Sequence, residues 1–308
     1  MTPSTPLFPS SIQSLAIFAD VHGNIRGLEA VLDDIAGQAV DAVVCNGDLL
    51  TGSAHAAAVV RRVRELGILC TRGNHERYLA ELADPEHEKW RQANWAPIQW
   101  DYRNLSQEDV HWLQSLPGLL WLCDGASPLF MAHAAPGDDS ARVTAQNSDA
   151  DWVALFADFP ARTTLVGSHL HWFWQQRWRD RHFVRTPSAG LPLDGDTRAG
   201  YVILRRSGAG WRVEHRRVGY DLEAELEALR GSDYYRECGV MARLFWEELR
   251  TARGWILPFF MHLRQSVPAL AHAPAAAGVD AETLEAALRT FDRSAFPEYR
   301  PDEPAPLH

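Results

Sequence analysis

Five short motifs contain side chains that are suited to binding divalent cations. They are ADVHGN (19–24), NGD (46–48), RGNHE (72–76), AH (132–133) and GSHLH (167–171). Carboxylate, amide and imidazole groups suit borderline ions such as Mn, Fe, Zn, Co or Ni, whereas thiolates, which favour softer metals, are absent from all five motifs. The candidate metal ligands are Asp20, His22, Asp48, Asn74, His133, His169 and His171.

Spacing within the motifs favours a shared site. Asp20 and His22 are two residues apart, as are His169 and His171. On an extended segment, side chains two apart point to the same side and can reach one ion. One such motif alone is usually a turn or a coincidence, whereas five in this order favour a functional site.

Strands and helices alternate in the part of the chain that carries the first three motifs. Between residues 15 and 72, the apolar runs LAIFA, DAVVCNG and ILCTRG alternate with the helical stretches GLEAVLDDIA and AAAVVRRVRELG. This alternation is typical of βαβ units in a parallel sheet, and the fold class is therefore predicted to be α/β. Ligands bind at the carboxyl ends of such strands, which is where the three motifs fall.

Later segments predict a helical insertion, a second sheet and a helical C-terminal region. Residues 77–117 are helical in pattern and end at the breaker pair Pro-Gly. The strand-like segments from GLLWLC to WRVEHRRV have short connections, which predict a largely antiparallel second sheet. We therefore divide the chain into a flexible tail (1–13), a main domain (14–220) and a helical region (221–308).

Composition argues against several classes of protein. The 308 residues carry a formal net charge of −10, which disfavours broad electrostatic binding of nucleic acid. Four widely spaced cysteines without a CxxC pair predict reduced, buried thiols and favour the cytoplasm. The sequence shows neither a secretory signal nor an apolar run of about 18 residues, so no membrane association is predicted.

On these motifs the chain resembles the calcineurin-like metallophosphoesterase superfamily. FADVHGNIRGLEAVLDDI and TRGNHE are similar to the small bacterial phosphoesterases of that group. RTPSAGLPLDGDTRAGYVIL is similar to the family segment NPGSVGLPRDGDPRAAYAIL, and the likeness spans roughly residues 14 to 206. The resemblance implies a four-layer αββα sandwich, in which two mixed sheets are flanked by helices, with the C-terminal helical region as an appendage.

The resemblance also implies a role for each motif residue. Two divalent ions are implied, with manganese as the first choice. One ion would be held by Asp20, His22 and His171, the other by Asn74, His133 and His169, with Asp48 bridging both. His75 matches the catalytic histidine of the family, which stabilises the transferring phosphoryl group or protonates the departing oxygen. Asn24 and Glu76 match positions that support the ligands.

The implied activity is hydrolysis of phosphomonoesters or phosphodiesters. Two ions about 4 Å apart would lower the pKa of a bridging water, and the metal-bound hydroxide would attack phosphorus. Small substrates such as nucleotides or dinucleoside polyphosphates are favoured, because GDLLTGS lacks the Arg that protein phosphatases carry in GDxxDRG.

Arg26 and Arg72 lie beside metal motifs and are the candidates for binding the substrate phosphate, with pairing to a neighbouring carboxylate as the equal alternative for either. A phosphoprotein (Ser/Thr) phosphatase, a nuclease and a metal-stabilised interaction scaffold without turnover are the alternatives. The expected partner is a small phosphoester, and assembly as a homo-oligomer is left open.

Overall fold

Two five-stranded sheets form the centre of the computed structural model, which describes residues 5–208, 210–270 and 278–296. In spatial order, the first sheet consists of β10 (Gly210–Val218), β9 (Ala199–Ser207), β1 (Ser14–Phe18), β2 (Ala42–Cys45) and β3 (Leu69–Cys70). Strands β1, β2 and β3 are parallel, as the βαβ pattern predicted. Strand β9 runs antiparallel to β1, and β10 runs antiparallel to β9.

The second sheet is mixed. In spatial order it consists of β4 (Leu120–Cys123), β5 (Leu129–Met131), β6 (Thr164–Gly167), β8 (Arg181–Arg185) and β7 (Trp174–Trp178). Its three central strands are parallel and its two edge strands are antiparallel.

The prediction of a largely antiparallel second sheet that included β9 and β10 was therefore wrong. The short connection between β6 and β7 does not form a hairpin, because β8 inserts between these two strands. Strands β9 and β10 form a hairpin that extends the first sheet, since β9 pairs with β1.

Helices cover the outer faces of both sheets, which confirms the predicted four-layer sandwich. The first sheet is covered by α1 (Ile25–Ala36), α2 (Ala56–Glu65), α3 (Asn74–Glu81), α4 (Ala96–Asn104) and α5 (Gln107–Ser115), and the second by α6 (Asp149–Leu155). Residues of β1 alternate between the two sides: Leu15 and Ile17 pack between the sheets, whereas Ala16 and Phe18 pack against helices. This period of two is the expected pattern for a strand buried on both faces.

Further helices follow the last strand. They are α7 (Leu222–Arg230), α8 (Asp233–Glu237), α9 (Gly239–Thr251), α10 (Ile256–Ser266) and α11 (Ala281–Thr290), with short 3-10 helices at Pro268–Leu270 and Arg293–Ala295. A cluster of buried side chains that includes Leu191, Leu229 and Phe245 joins α7 and α9 to the sandwich. No helix in the described part of the chain is both long and apolar enough to cross a bilayer.

The predicted division at residues 14 and 221 stays a prediction. Within 77–117 the structure has the end of α3, two 3-10 helices (Glu88–Arg91 and Ala93–Trp95), α4 and α5. Leu7 and Phe8 of the predicted tail donate main-chain hydrogen bonds to β4. Residues 1–4, 209, 271–277 and 297–308 lie outside the described residues. All four cysteines are buried free thiols, as predicted.

Candidate metal centre

The candidate ligands converge where the carboxyl ends of strands from both sheets meet. Asp20 follows β1, Asp48 follows β2, and Asn74 begins α3 just after β3. His133 follows β5, while His169 and His171 follow β6. The ligand atoms of two sets lie within 4.8 Å of one another: Asp20, His22 and His171, and Asp48, His133 and His169. All seven candidate ligands therefore line one centre, to which each sheet contributes.

Asp48 belongs to the second set and also lies close to His22 of the first set. One carboxylate oxygen, Oδ2, is 3.1 Å from Nε2 of His133 and 3.8 Å from Nε2 of His22. The Nε2 atom of His133 is also 3.1 Å from Oδ1 of Asn74. Burial would raise the pKa of Asp48, but the neighbouring His133 and His75 hold it well below its usual value. The carboxylate predicted to bridge the two ions therefore stays ionised.

Asp20 is fully buried, yet neither of its carboxylate oxygens has a hydrogen-bond partner among the described residues. Its Oδ1 atom faces Nε2 of His171 at 3.7 Å and Nε2 of His133 at 3.8 Å. Burial raises the pKa of Asp20 well above its usual value. A buried carboxylate without donors is costly unless a cation compensates it, so this side chain fits a metal ligand.

Three imidazoles are oriented by main-chain carbonyls. The Nδ1 atoms of His22, His133 and His171 lie 2.6, 2.7 and 2.6 Å from the carbonyl oxygens of Thr51, Asn46 and Leu191. A hydrogen bond from Nδ1–H leaves the lone pair of Nε2 directed at the centre, which is the arrangement that metal-binding histidines use. These acceptors are main-chain carbonyl oxygens, which every residue has. The sequence motifs therefore could not indicate which residues orient the imidazoles.

The pKa values of the imidazoles at the centre are also consistent with a site that binds a cation. Burial lowers the pKa of His169 to about 3 and that of His171 to about 4, so both rings are neutral and can act as ligands. The Nε2 atoms of His22 and His171 face each other at 3.2 Å. Burial would also lower the pKa of His133, but the Asp48 and Asp20 carboxylates raise it to about 10. The field that favours a proton at this nitrogen favours a metal ion equally.

Left-handed backbone conformations aim five of the seven side chains at the centre. The φ angles are 52° at Asp20, 50° at His22, 55° at Asp48, 70° at His169 and 69° at His171. Such conformations cost about 1–3 kcal/mol each in residues other than glycine and cluster at functional sites. They also correct the expectation of extended segments, because both members of the Asp20/His22 pair and of the His169/His171 pair have left-handed φ angles.

Glu76 holds the main chain around the centre. Its buried carboxylate accepts hydrogen bonds from the main-chain N–H groups of Gly73 at 2.7 Å, Leu49 at 2.8 Å and Asp48 at 3.0 Å. Burial and the nearby Asp48 raise the pKa of Glu76 to about 7. Glu76 therefore fixes the loop after β2 to the first turn of α3, a role that agrees with the predicted supporting position.

Asn24 supports the first motif from the side of α1. Its side chain accepts a hydrogen bond from the N–H of Gly27 at 2.8 Å and thereby caps the helix. The amide group also donates to the carbonyl oxygen of Gly190 at 2.8 Å and to the hydroxyl of Tyr220 at 3.1 Å. These contacts join the loop that carries Asp20 to the loop that carries Leu191.

His75 lies beside the centre and lines the cavity above it. Its main-chain N–H donates to Oδ1 of Asp48 at 3.0 Å, and its ring centroid lies 4.9 Å from that of His22. The Nδ1 atom of His75 is buried and has no hydrogen-bond partner among the described residues. Burial lowers the pKa of this imidazole.

The two arginines predicted to bind phosphate lie elsewhere. Arg26 donates to Oε2 of Glu225 at 2.8 Å, and neither Arg26 nor Arg72 is among the described residues that line the cavity. The cavity is instead lined by Arg142, Arg253 and Arg293. Arg253 and Arg293 follow the last motif by a long stretch of chain, and Arg142 lies in the loop between the fourth and fifth motifs. The packing of these loops and helices brings the three side chains to the cavity.

Comparison with known proteins agrees with this geometry. The family model described as calcineurin-like phosphoesterase matches residues 14–186, more than half of the chain. A relative from Methanocaldococcus jannaschii, described as uncharacterized, is 23% identical over 235 residues, which cover 70% of this chain and 91% of that protein.

Two solved structures share the fold. A metallophosphoesterase from Sphaerobacter thermophilus superposes with a TM-score of 0.61 at 23% identity and covers 78% of this chain and 99% of its own. A hypothetical protein from Pyrococcus horikoshii superposes with a TM-score of 0.64 at 14% identity, over 79% and 99%. The chain belongs to the calcineurin-like phosphoesterase family.

Proposed function

We propose that the protein is a hydrolase of small phosphoesters that uses two divalent metal ions. The observation that carries this proposal is the buried Asp20 carboxylate, which lacks any hydrogen-bond donor in the described structure and faces imidazole Nε2 atoms. Asp20, His22 and His171 would hold one ion, Asn74, His133 and His169 would hold the other, and Asp48 would contact both. Because the donor set consists of oxygen and imidazole nitrogen, we propose Mn²⁺ as the first ion to test.

When bound, the two ions supply a water of lowered pKa and offset the charge on the phosphate oxygens. In the proposed reaction the water oxygen bonds to phosphorus as the bond from phosphorus to the leaving oxygen breaks. In its protonated form His75 gives its ring proton to the leaving oxygen, and the proton released by the attacking water then protonates His75 again. This role is supported by the position of His75, since its Nδ1 atom has no protein partner and its ring lines the cavity.

The shape of the site supports small substrates. The metal centre lies in a cavity of about 470 Å³, whose far wall comes from α9 and α10. A cavity of this size suits an organic phosphate, such as a nucleotide, better than a folded phosphoprotein. We therefore place small phosphomonoesters and phosphodiesters before phosphoprotein substrates.

Metal content and hydrolysis rates test the proposal together. We expect the protein loaded with Mn²⁺ to hydrolyse p-nitrophenyl phosphate, its bis ester or members of a nucleotide panel. Asp48→Asn should lose bound metal, whereas His75→Ala should keep the metal and lose at least about 100-fold in kcat. His111→Ala, at an exposed position on α5, is the control.

Unchanged rates in both Asp48→Asn and His75→Ala would reject the mechanism. A preference for phosphopeptides over nucleotides would favour the phosphoprotein phosphatase alternative. Bound metal without turnover on any substrate would favour the scaffold alternative.

A further inference from the structure

The cavity above the metal centre has a wall that the family motifs do not supply. His22, Asp48 and His75 line its inner end. Another part of the wall includes Phe245 of α9 and Phe260 of α10. These helices lie beyond residues 14–186, the segment matched by the family model. This wall can therefore determine which organic group is accepted without altering the metal centre.

A row of aromatic rings leads from the metal centre into the outer part of the cavity. The ring centroids of His22 and His75 are 4.9 Å apart, those of His75 and Tyr78 are 5.6 Å apart, and those of Tyr78 and Trp95 are 4.9 Å apart. All four rings line the cavity. Because Tyr78 and Trp95 follow His75, the proposed proton donor, in this row, they lie on the side where we place the leaving group.

Basic side chains in the first turn of α3 and just before α4 fix this aromatic row. The guanidinium carbon of Arg77 lies 4.6 Å from the ring centroid of Tyr78, and Nζ of Lys89 lies 4.4 Å from that of Trp95. Cation–π contacts of this kind stabilise the rings in one orientation. The rings of Tyr78 and Trp95 are thus held in place before a substrate binds. A planar aromatic group of the substrate can pack against them.

Two guanidinium groups lie on the helical side of the same cavity. Arg293 donates from Nε to the carbonyl oxygen of Gly254 at 2.8 Å and from Nη1 to that of Phe296 at 2.6 Å, which holds its guanidinium group in place. Arg253 also lines the cavity, and burial together with the charge of Arg253 lowers the pKa of Arg293. Such a pair of like charges favours binding of an anion.

Glu248 also lines this part of the cavity, and its carboxyl group interacts electrostatically with Arg293. Its buried carboxylate accepts hydrogen bonds from the main-chain N–H groups of Trp255 at 2.7 Å and Ile256 at 2.9 Å. Burial raises the pKa of Glu248 to about 7, so near neutral pH it offsets only part of the positive charge. Arg142 adds a third guanidinium group to the cavity. The cavity lining therefore contains three guanidinium groups and, besides Asp48 at the metal centre, one carboxyl group among the described residues.

We propose that the outer cavity selects phosphate esters whose leaving group carries both an aromatic ring and a second anionic group. The ring packs along Tyr78 and Trp95, opposite Phe245, and the anionic group binds Arg253 and Arg293. Aryl or nucleoside phosphates with a further acidic group belong to this class, whereas simple alkyl phosphates do not. The inference rests on the proposed phosphoesterase function.

Three esters with alcohol leaving groups separate the two selective features. They are ethyl phosphate, benzyl phosphate and 4-carboxybenzyl phosphate, and kcat/KM is measured for each with the full-length protein loaded with Mn²⁺. We expect kcat/KM to rise about tenfold at each step of this series, which corresponds to one good contact per step. Trp95→Leu should reduce the ratio of benzyl to ethyl phosphate about tenfold, and Arg293→Gln should do the same to the ratio of 4-carboxybenzyl to benzyl phosphate.

Matched controls are available on neighbouring elements. Trp90→Leu removes a half-buried tryptophan outside the cavity lining, and Arg289→Gln removes an exposed arginine of α11. Both should keep the wild-type ratios. Hydrolysis of benzyl phosphate by Arg293→Gln shows that this variant is folded, and Arg253→Gln replaces it in the comparison if that activity is lost.

Two kinds of failure are distinguishable. Absence of metal-dependent hydrolysis for all three esters would reject the phosphoesterase function itself. Hydrolysis with the same substrate ratios in the wild type, Trp95→Leu and the arginine variants would reject the selective role of the outer cavity and leave the phosphoesterase function standing.

Discussion

Oγ of Ser53 donates a hydrogen bond to Oε1 of Glu225 at 2.7 Å, and this bond joins α7 to the loop that follows Asp48. Glu225 is fully buried and also binds Arg26 at 2.8 Å and His55 at 3.3 Å. The same loop contains Thr51, whose carbonyl oxygen orients His22. The C-terminal helices therefore hold a loop on which a candidate metal ligand depends.

Removing this carboxylate should weaken both the fold and the centre. Glu225→Ala leaves Ser53, Arg26 and His55 without their shared acceptor, so we expect the free energy of unfolding to fall by about 3 kcal/mol. Glu225→Gln keeps the shape and loses the charge, and should cost about half as much. Urea denaturation measures both values. Glu223→Gln, on the exposed side of α7, is the matched control, and equal stabilities of all four proteins would contradict the prediction.

The three main-chain contacts of Glu76 predict an effect on metal affinity. Glu76→Gln replaces a carboxylate that accepts from Gly73, Asp48 and Leu49 with an amide that has a single acceptor oxygen. The loop that carries Asp48 should then be less fixed, and Mn²⁺ should bind about 10- to 100-fold more weakly. Competition with a metal chelator measures this affinity. Glu65→Gln, an exposed residue at the end of α2, should bind as the wild type does.

Gly73 tests how closely the main chain approaches Asp48. A Cβ atom at Gly73 would collide with Oδ1 and the main-chain N of Asp48, so Gly73→Ala must displace the bridging carboxylate. We expect metal content after purification to drop below that of the wild type and activity to fall at least about tenfold. At Gly219 an added Cβ meets no atom within 4 Å, which makes Gly219→Ala the matched control. Full metal occupancy in Gly73→Ala would show that the loop can adjust.

The sequence predicted the convergence of the candidate ligands because it depends on local patterns. Asp20, Asp48 and Asn74 each follow an apolar run, and strand ends of a parallel sheet meet at one edge. The placement of β9 and β10 was not predictable in this way, because pairing with β1 is a long-range contact that short loops do not report. The arginines of the outer cavity were missed for a related reason, since the packing of α9 and α10 decides which side chains face the metal centre.

His182, far from the metal motifs in the second sheet, predicts a pH dependence of stability. Burial lowers the pKa of His182 to about 4, and Nε2 lies 3.0 Å from Oε1 of Gln175. In the unfolded chain its pKa is about 6.5, so between these values the unfolded state binds a proton that the folded state does not. The contribution of His182 to the free energy of unfolding is therefore fully present above pH 6.5 and is lost progressively as the pH falls towards 4.

A variant without this titration should lose less stability in acid. Between pH 8 and pH 5 we expect the wild type to lose about 2 kcal/mol more than His182→Gln, since one pKa unit corresponds to about 1.4 kcal/mol. Effects of pH on the metal centre are the same in both proteins and therefore cancel when the two losses of stability are subtracted. Urea denaturation of each protein at pH 8 and at pH 5 measures these losses. His111→Gln, at an exposed position, should follow the wild type. A parallel loss in His182→Gln would mean that the folded protein accommodates the charged ring, for example by letting water reach the buried Nδ1 atom.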